Sequence, residues 1–200
     1  MSPEADAART AELTRKTAET EVEVSIRLDG GGVADVDSGL GFLDHMLTAL
    51  AKHAGFDLRL RATGDLEVDD HHTVEDCAIV LGRALDHALG DRTGIVRFGS
   101  AYAPLDESLT RVVIDLSGRP WPEIALEFDR DTIGDVATEN VIHFLRSLAI
   151  EARMALHVDL IRGDNDHHKA ESAFKALALA LRVAVGTGGN DVPSTKGSLG

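Results

Sequence analysis

The segments DHHTVE (residues 70–75) and DHHKAE (residues 166–171) are two copies of one pattern, D-H-H-x-x-E, placed 96 residues apart. Each copy begins a segment whose apolar residues recur at helical spacing. Six apolar positions of the first segment stay apolar when shifted by 96 residues: Val74, Cys77, Ala78, Leu81, Leu85 and Ala88 become Ala170, Ala173, Phe174, Leu177, Leu181 and Ala184. Upstream, His45 and His143 stand in matching predicted helices, 98 residues apart. The sequence therefore indicates an internal duplication.

Strands and helices alternate in both halves of the chain. Alternating apolar and polar residues predict strands at 20–28, 33–37, 57–61, 65–69, 96–102, 111–116, 124–128 and 157–162. Helical spacing predicts helices at 42–53, 73–89, 139–156 and 169–185. We expect an α+β fold of two pseudo-repeated halves, each a small sheet with helices on one face. Because no linker separates them, we expect one domain at 14–200, with repeats at about 14–94 and 95–190, after a loose N-terminus at 1–13.

The charge balance excludes two classes of partner. The 200 residues include 34 acidic and 20 basic ones, for a formal charge of −14. Nucleic acids and anionic membranes bind cationic surfaces, so neither is expected as a main partner. No apolar run reaches the roughly 18 to 20 residues of a membrane span, and the first residues lack a signal-peptide core. A single cysteine, Cys77, favours a reducing cytoplasm, where we expect the protein to work.

The repeated histidines suggest metal binding. On a helix, residues four apart share a face, whereas adjacent residues diverge by about 100°. An adjacent pair of histidines therefore suits two different ions, or one ion and a neighbouring subunit's site. The candidate ligands divide evenly into two sites of three imidazoles and one carboxylate, a donor set that suits Mn, Fe, Co, Ni or Zn. These ligands are His45, His71, His72, Glu75, His143, His167, His168 and Glu171.

Simpler interpretations apply to each residue taken alone. A single HHxxE is typical of a solvated helix N-terminus, but two copies at one offset favour metal ligation. Asp70 and Asp166 are predicted as helix caps rather than as acceptors for a ligand's second ring nitrogen. Cys77 lies on the apolar stripe and is predicted to be core. Three histidines lack a counterpart in the other half and are predicted to be surface or boundary residues: His53, His87 and His157.

Cationic and hydroxyl groups at loop positions suggest an anion site. Arg97 precedes Phe98 and Gly99 at the start of a predicted strand, Arg119 lies in SGRP (117–120), and PSTKG (193–197) contributes Ser194 and Lys196. A hydroxyl, backbone N–H groups and an ammonium can together bind a phosphate. The order of residues is not that of a Walker loop. Each group alone is more often a surface charge or a turn.

The sequence resembles the imidazoleglycerol-phosphate dehydratase family of histidine biosynthesis, in its monofunctional form. The matching segments run in order from about residue 15 to 199: RKTAETEV (15–22), GFLDHML (41–47), GDLEVDDHHTVED (64–76), RFGSAYAPLDESL (97–109), DLSGRP (115–120), NDHHKAESAFKAL (165–177) and PSTKG (193–197). Leu43, Trp121 and Ser198 depart from the family's usual residues, and none is an expected ligand. The chain's length leaves no room for the phosphatase domain that some relatives carry.

The resemblance implies a fold like that of ribosomal protein S5 domain 2, two Mn²⁺ ions per active site, and a homo-oligomer of twenty-four subunits with shared sites. It implies a hydro-lyase that converts imidazole glycerol phosphate, a small phosphorylated imidazole, to imidazole acetol phosphate. The eight residues above would be the metal ligands. The substrate would contact Glu19, Arg97, Arg119, Ser194 and Lys196, with Glu19 as the leading acid/base and Glu171 as a second catalytic residue.

Two other functions remain open from the residues alone. A metal-dependent phosphoesterase can also use D-H-H, but it needs additional bridging aspartates, whereas this set is dominated by histidine. A non-enzymatic metal-binding shell would explain the histidines but not the arginines or the Ser-Thr-Lys segment. Release of phosphate from a generic phosphomonoester would favour the first, and rapid metal exchange without substrate binding would favour the second.

Overall fold

The two halves of the chain fold with the same order of elements, interrupted by one small hairpin in the second half. The structure is a computed structural model and describes residues 9–189, 191, 193–194 and 199. The first half contains β1 (Thr10–Lys16), β2 (Thr20–Arg27), β3 (Ala34–Asp37), α1 (Gly41–Ala54), β4 (Asp57–Gly64) and α2 (His71–Leu89). The second contains β5 (Phe98–Leu105), β6 (Ser108–Asp115), β7 (Trp121–Ala125), β8 (Thr132–Ile133), β9 (Val136–Ala137), α3 (Thr138–Glu151), β10 (Ala155–Arg162) and α4 (Asp166–Ala184).

The two four-stranded sheets have equivalent strand orders, β1-β2-β4-β3 and β5-β6-β10-β7. In each sheet the first three strands are antiparallel neighbours, and the edge strand β3 or β7 runs parallel to β4 or β10. The short pair β8-β9 is an insertion between β7 and α3. The predicted α+β fold of two pseudo-repeated halves is confirmed.

The helices lie on one face of each sheet, as predicted, and pack against the helices of the other half. In the first half α2 packs on β1 and β2 while α1 packs on β3, and in the second half α4 packs on β5 and β6 while α3 packs on β7. Between the halves, α2 packs on α3 and α1 packs on α4. The core runs through these contacts; the rings of Phe144 and Phe174, both fully buried, have centroids 5.6 Å apart. Four helices therefore form a layer between two sheets.

The segment before α3 holds the starts of three helices together. Asp135 accepts hydrogen bonds from the backbone N–H groups of Gly41 (2.5 Å) and Phe42 (3.0 Å), at the start of α1. Asp70, just before α2, accepts one from the N–H of Ala137 at 2.9 Å. The edge of the Phe42 ring also faces His167 at the start of α4. The N-terminal ends of all four helices therefore meet at one end of the layer.

Several element boundaries differ from the predictions. Residues 10–13 were expected in a loose N-terminus but belong to β1, which pairs with β2 along its whole length. The strand predicted at 65–69 is a turn, because β4 continues unbroken to Gly64. The helix predicted at 139–156 ends at Glu151, since Arg153 adopts a positive φ of 52° and β10 then begins. Within the described residues, no helix has the length and apolar character needed to cross a membrane.

Candidate active site and metal centres

Two groups of side chains, each drawn from both halves, lie at the shared end of the helices. The first, the α1/α4 cluster, consists of His45, His167 and Glu171; the second, the α2/α3 cluster, consists of His71, Glu75 and His143. Within each cluster the ligand atoms lie within 4.8 Å of one another. Each cluster joins a histidine and a glutamate from one D-H-H-x-x-E copy to the upstream histidine of the other half. The duplication therefore assembles both clusters by crossing the halves.

In the α1/α4 cluster, Glu171 is the common partner of both histidines. The Nε2 atoms of His45 and His167 each lie 3.1 Å from Glu171 Oε2. The other oxygen, Oε1, pairs with Lys175 Nζ at 2.7 Å. Burial opposes ionisation of Glu171, but the hydrogen bonds of Lys175 and His45 prevail and lower its pKa to about 2. Glu171 is therefore ionised at neutral pH. Sequence reasoning missed Lys175, although its i+4 spacing from Glu171 was a usable signal.

In the α2/α3 cluster, the hydrogen bond of one histidine to an amide orients its ring. His143 Nε2 lies 3.0 Å from Glu75 Oε1, and the rings of His71 and His143 stack with centroids 5.1 Å apart. His71 Nδ1 lies 3.0 Å from Oδ1 of the buried Asn140. An amide oxygen accepts only, so Nδ1 carries the proton and Nε2 keeps its lone pair for a ligand. Asn140 carried no sequence signal, because its role depends on α3 lying against α2.

The second histidine of each copy lies outside the cluster formed by the first. His72 Nδ1 lies 3.0 Å from Asp65 Oδ2, and His168 Nδ1 lies 2.8 Å from Glu107 Oε2. These hydrogen bonds raise the pKa of both imidazoles. Glu107 in turn has a pKa far below its usual range, because the N–H of Asn165 and the ring of His168 donate to it. Within one chain each cluster thus has two imidazoles and one carboxylate. The predicted sites of three imidazoles and one carboxylate would each need one more histidine, from another subunit.

The donor sets of both clusters fit a divalent metal ion. Imidazole nitrogens and a carboxylate suit the metals from Mn to Zn. Three protein donors also leave coordination positions open for a further ligand or a substrate atom. In the α1/α4 cluster the ionised Glu171 supplies negative charge next to the bound ion, which an imidazole ligand cannot supply.

Glu19 lies in the turn between β1 and β2, beside His72. Its Oε2 is 3.8 Å from His72 Nε2. Thr17 Oγ1 accepts the backbone N–H of Glu19 at 3.1 Å and of Thr20 at 2.9 Å, which fixes the turn. The two cationic side chains nearest to Glu19 in sequence bind other carboxylates: Arg15 pairs with Asp76, and Lys16 pairs with Glu21.

The buried Asp76 connects this turn to α2. It follows Glu75 in the chain and accepts hydrogen bonds from the Thr20 hydroxyl and the Arg15 guanidinium. The turn that carries Glu19 is therefore tied to the helix that carries the α2/α3 cluster. Sequence reasoning missed this link, since nothing in the sequence pairs Thr20 with a residue 56 positions away.

The predicted anion-binding residues that the structure describes belong to neither His/Glu cluster. Arg97 binds Asp115 through two hydrogen bonds, of 2.6 and 2.9 Å, and donates a third to the Pro193 carbonyl at 2.7 Å. This pairing with Asp115 raises the pKa of Arg97. Arg119 is exposed in the loop before β7, and Ser194 is half-buried next to Pro193. Lys196 lies outside the described residues.

Within one chain, Arg97 and the α1/α4 cluster lie far apart. The Arg97 N–H donates to the carbonyl of Ala184, the last residue of α4, at 2.8 Å. Glu171 lies thirteen residues earlier on the same helix. At 1.5 Å per residue the two points are about 20 Å apart.

The helix caps differ from the prediction. Asp70 bonds to Ala137, and Asp166 accepts the N–H groups of Asp129 and Arg130, so neither carboxylate caps its helix. Asn165 caps α4 instead, because its side chain accepts from the N–H groups of His167 and His168.

Cys77 and the three remaining histidines agree with the prediction. Cys77 is fully buried in the core, and burial raises its pKa. Among the described residues, His53, His87 and His157 take part in neither cluster.

Comparisons with known proteins agree with this architecture. The family model "Imidazoleglycerol-phosphate dehydratase" matches residues 38–181. A protein of that name from Salinibacter ruber is 54% identical over 201 residues, covering 100% of both chains. Another, from Phytophthora nicotianae, is 56% identical over 96% of this chain, which spans 42% of that longer protein.

A solved structure extends the agreement to the fold. The crystal structure of imidazoleglycerol-phosphate dehydratase from Staphylococcus aureus superposes with a TM-score of 0.81 at 39% identity, covering 89% of this chain and 99% of that one. The matched family model covers both D-H-H-x-x-E copies and both upstream histidines. The chain belongs to the imidazoleglycerol-phosphate dehydratase family.

Proposed function

We propose that the protein is a metal-dependent hydro-lyase that converts imidazoleglycerol phosphate to imidazole acetol phosphate in histidine biosynthesis. The observation that carries the proposal is the pair of crossed His/Glu clusters, with Glu19 held beside His72, in a chain that belongs to this family. Family membership favours neither a phosphoesterase nor a metal-binding shell.

The metal ions that we propose are two Mn²⁺ per active site. His45, His167 and Glu171 would hold one, and His71, Glu75 and His143 the other. His72 and His168 would complete these sites from neighbouring subunits, since neither belongs to a cluster of its own chain. When bound, the ions supply Lewis acidity that stabilises negative charge on the substrate's imidazole.

Glu19 is the residue best placed to move a proton. Dehydration removes a proton from a carbon without a neighbouring carbonyl, so the imidazole ring must accept the electron pair. The exposed carboxylate of Glu19 lies at a turn fixed by Thr17, within reach of a ligand bound at His72. Glu171 also remains a proposed catalytic residue, but its low pKa suits holding charge at the reaction centre better than donating a proton.

The phosphate would be bound by Arg97, Arg119, Ser194 and Lys196 of another copy of the chain. This follows from the distance of about 20 Å between Arg97 and the α1/α4 cluster in one chain. The outer face of the second sheet supports contact with other copies, because Phe98, Tyr102 and Trp121 are exposed by 56%, 59% and 61%. We propose a homo-oligomer of twenty-four subunits with shared sites.

A mixing experiment tests the shared site. E171Q and R97A would each be inactive alone, and co-refolding the two would restore part of the activity if one site draws on both chains. Activity that never exceeds the sum of the separate variants would contradict sharing.

We propose that the enzyme works in the cytoplasm. The lone Cys77 is buried and free, which suits a cytoplasmic enzyme. The acidic chain is expected to bind neither nucleic acid nor a membrane.

The test of function is an assay of purified, Mn²⁺-loaded protein for imidazole acetol phosphate, with E19Q as the matched variant. We expect turnover in the parent and at least a 100-fold loss in E19Q with substrate still bound; near-full turnover of E19Q would overturn its role.

A further inference from the structure

The duplication places a glutamate at the same position of the first hairpin in each half. Glu19 immediately precedes β2, which begins at Thr20, and Glu107 immediately precedes β6, which begins at Ser108. The same offset of 88 residues relates the two strands and the two glutamates. Each carboxylate approaches the second histidine of a D-H-H-x-x-E copy.

The two glutamates face different nitrogens of their histidines, and only Glu107 lies within hydrogen-bond distance. Glu19 faces Nε2 of His72 at 3.8 Å, whereas Glu107 Oε2 lies 2.8 Å from Nδ1 of His168. In the first half Nδ1 is held by Asp65, the residue directly after β4. Glu19 is therefore not needed to hold Nδ1 of His72.

The second half has no room for a counterpart of Asp65. The residue directly after β10 is Gly163, and a Cβ built on it would overlap the hydroxyl of Ser108. The carboxylate for Nδ1 therefore comes from the hairpin, from Glu107. Asp106 Oδ2 lies 3.9 Å from His168 Nε2, too far for a hydrogen bond.

Three further hydrogen bonds anchor Glu107. Its Oε1 accepts the backbone N–H groups of Asp164 at 3.2 Å and Asn165 at 2.9 Å, and the Ser108 hydroxyl at 3.0 Å. Asn165 in turn caps α4 through the N–H groups of His167 and His168. The carboxylate that touches the His168 ring is thus fixed to the start of the helix that bears the ring.

We propose that Glu107 is a positioning residue that holds His168 as its Nδ1–H tautomer, so that the Nε2 lone pair is free to bind a divalent metal ion. By the same division of roles, Glu19 is the member of the equivalent pair that stays available for proton transfer. This inference rests on the proposed function, because it takes His168 as a metal ligand.

The isosteric variant E107Q tests the tautomer directly. Two backbone N–H donors face Oε1, so the amide oxygen of glutamine would turn toward them and its NH₂ group toward His168 Nδ1. Nδ1 must then accept, and the proton moves to Nε2, where it blocks ligation. Loss of such a partner typically weakens metal binding about 10- to 100-fold.

The experiment follows free Mn²⁺ by EPR during titration of the metal-free parent, E107Q and E107D. The control for loss of charge is E12Q, because Glu12 lies on the exposed face of β1. We expect one class of Mn²⁺ site to weaken at least 10-fold in E107Q, with E12Q unchanged. Saturating Mn²⁺ should restore kcat of E107Q with KM unaltered. E19Q should show the opposite behaviour: normal Mn²⁺ affinity, and a loss of kcat that no Mn²⁺ concentration restores.

If E107Q does not fold, the Mn²⁺ affinity of E107D tests the role of Glu107 instead. Its shorter carboxylate, still held by the two backbone N–H groups, cannot also reach the ring, so Mn²⁺ binding must weaken. Parent-like Mn²⁺ affinity, within twofold, in either folded variant would overturn the inference. A parent protein that itself binds no Mn²⁺ would instead overturn the metal dependence in the proposed function.

Discussion

The hydroxyl of Thr20 joins the turn that carries Glu19 to the buried Asp76 of α2, and its removal tests whether this link positions Glu19, the proposed acid/base. The variant T20V keeps the shape of the side chain and the backbone hydrogen bond of Thr20 to Thr17. It removes the hydrogen bond from the hydroxyl to the Asp76 carboxylate, together with the 3.2 Å hydrogen bond between the hydroxyls of Thr20 and Thr17. Asp76 then retains Arg15 as its charged partner.

The cost in stability follows from the charge and burial of Asp76. A hydrogen bond to a charged group contributes about 1.5 to 3 kcal/mol, and the carboxylate that loses it is only 6% exposed. With a loss of about 2 kcal/mol, a chain of this size should melt about 4 to 8 °C lower. A displacement of Glu19 by about 1 Å should lower kcat by roughly 10- to 100-fold.

The assay compares Tm, kcat and Mn²⁺ affinity for T20V and for T14V, an exposed threonine on β1 that serves as the matched control. We expect T20V to lose both stability and kcat while its Mn²⁺ affinity stays that of the parent. T14V should change stability by no more than about 0.5 kcal/mol. A T20V protein that is less stable but turns over at the parent rate would refute the positioning role of this link.

Three further predictions concern other parts of the molecule. R97K removes the two-pronged contact with Asp115, and we expect KM for the phosphorylated substrate to rise at least 10-fold in steady-state assays, with unchanged Mn²⁺ affinity. G99A places a Cβ on a backbone oxygen of α4 and should cost about 1 to 3 kcal/mol in denaturation experiments, whereas G189A, which meets open space, should not. Two backbone N–H groups lower the pKa of Asp57, so its stabilisation is present above its ordinary pKa of 3.8 and is lost as pH falls through the lower folded value; stability curves of parent and D57N should differ at pH 6 and converge in strong acid.

The duplication was predictable because the same offset of 96 residues relates both the D-H-H-x-x-E copies and the apolar positions of the core. In α2 and α4 one set of residues forms the buried helix face and another forms the His/Glu clusters, so each repeat can be recognised twice in the sequence. The crossing of the halves was not predictable. His45 meets Glu171 only because α1 packs on α4, which is a tertiary contact without a local signal.

The helix starts show the same limit. Asp70 and Asp166 stand where caps are common, yet backbone groups from the segment before α3 compete for their carboxylates. Asn165 is then free to cap α4. For His72 and His168, the angle of about 100° between adjacent residues already indicated separate sites. Of the carboxylates that hold them, Asp65 lies only 7 positions from His72, whereas Glu107 lies 61 positions from His168 and carried no local signal.

The most direct test of the central claim is a titration of Mn²⁺ into metal-free protein while the conversion of imidazoleglycerol phosphate is followed. The account predicts no turnover at the start and an increase that levels off at two ions per chain. Full turnover by the metal-free protein, or none by the fully loaded protein, would contradict it.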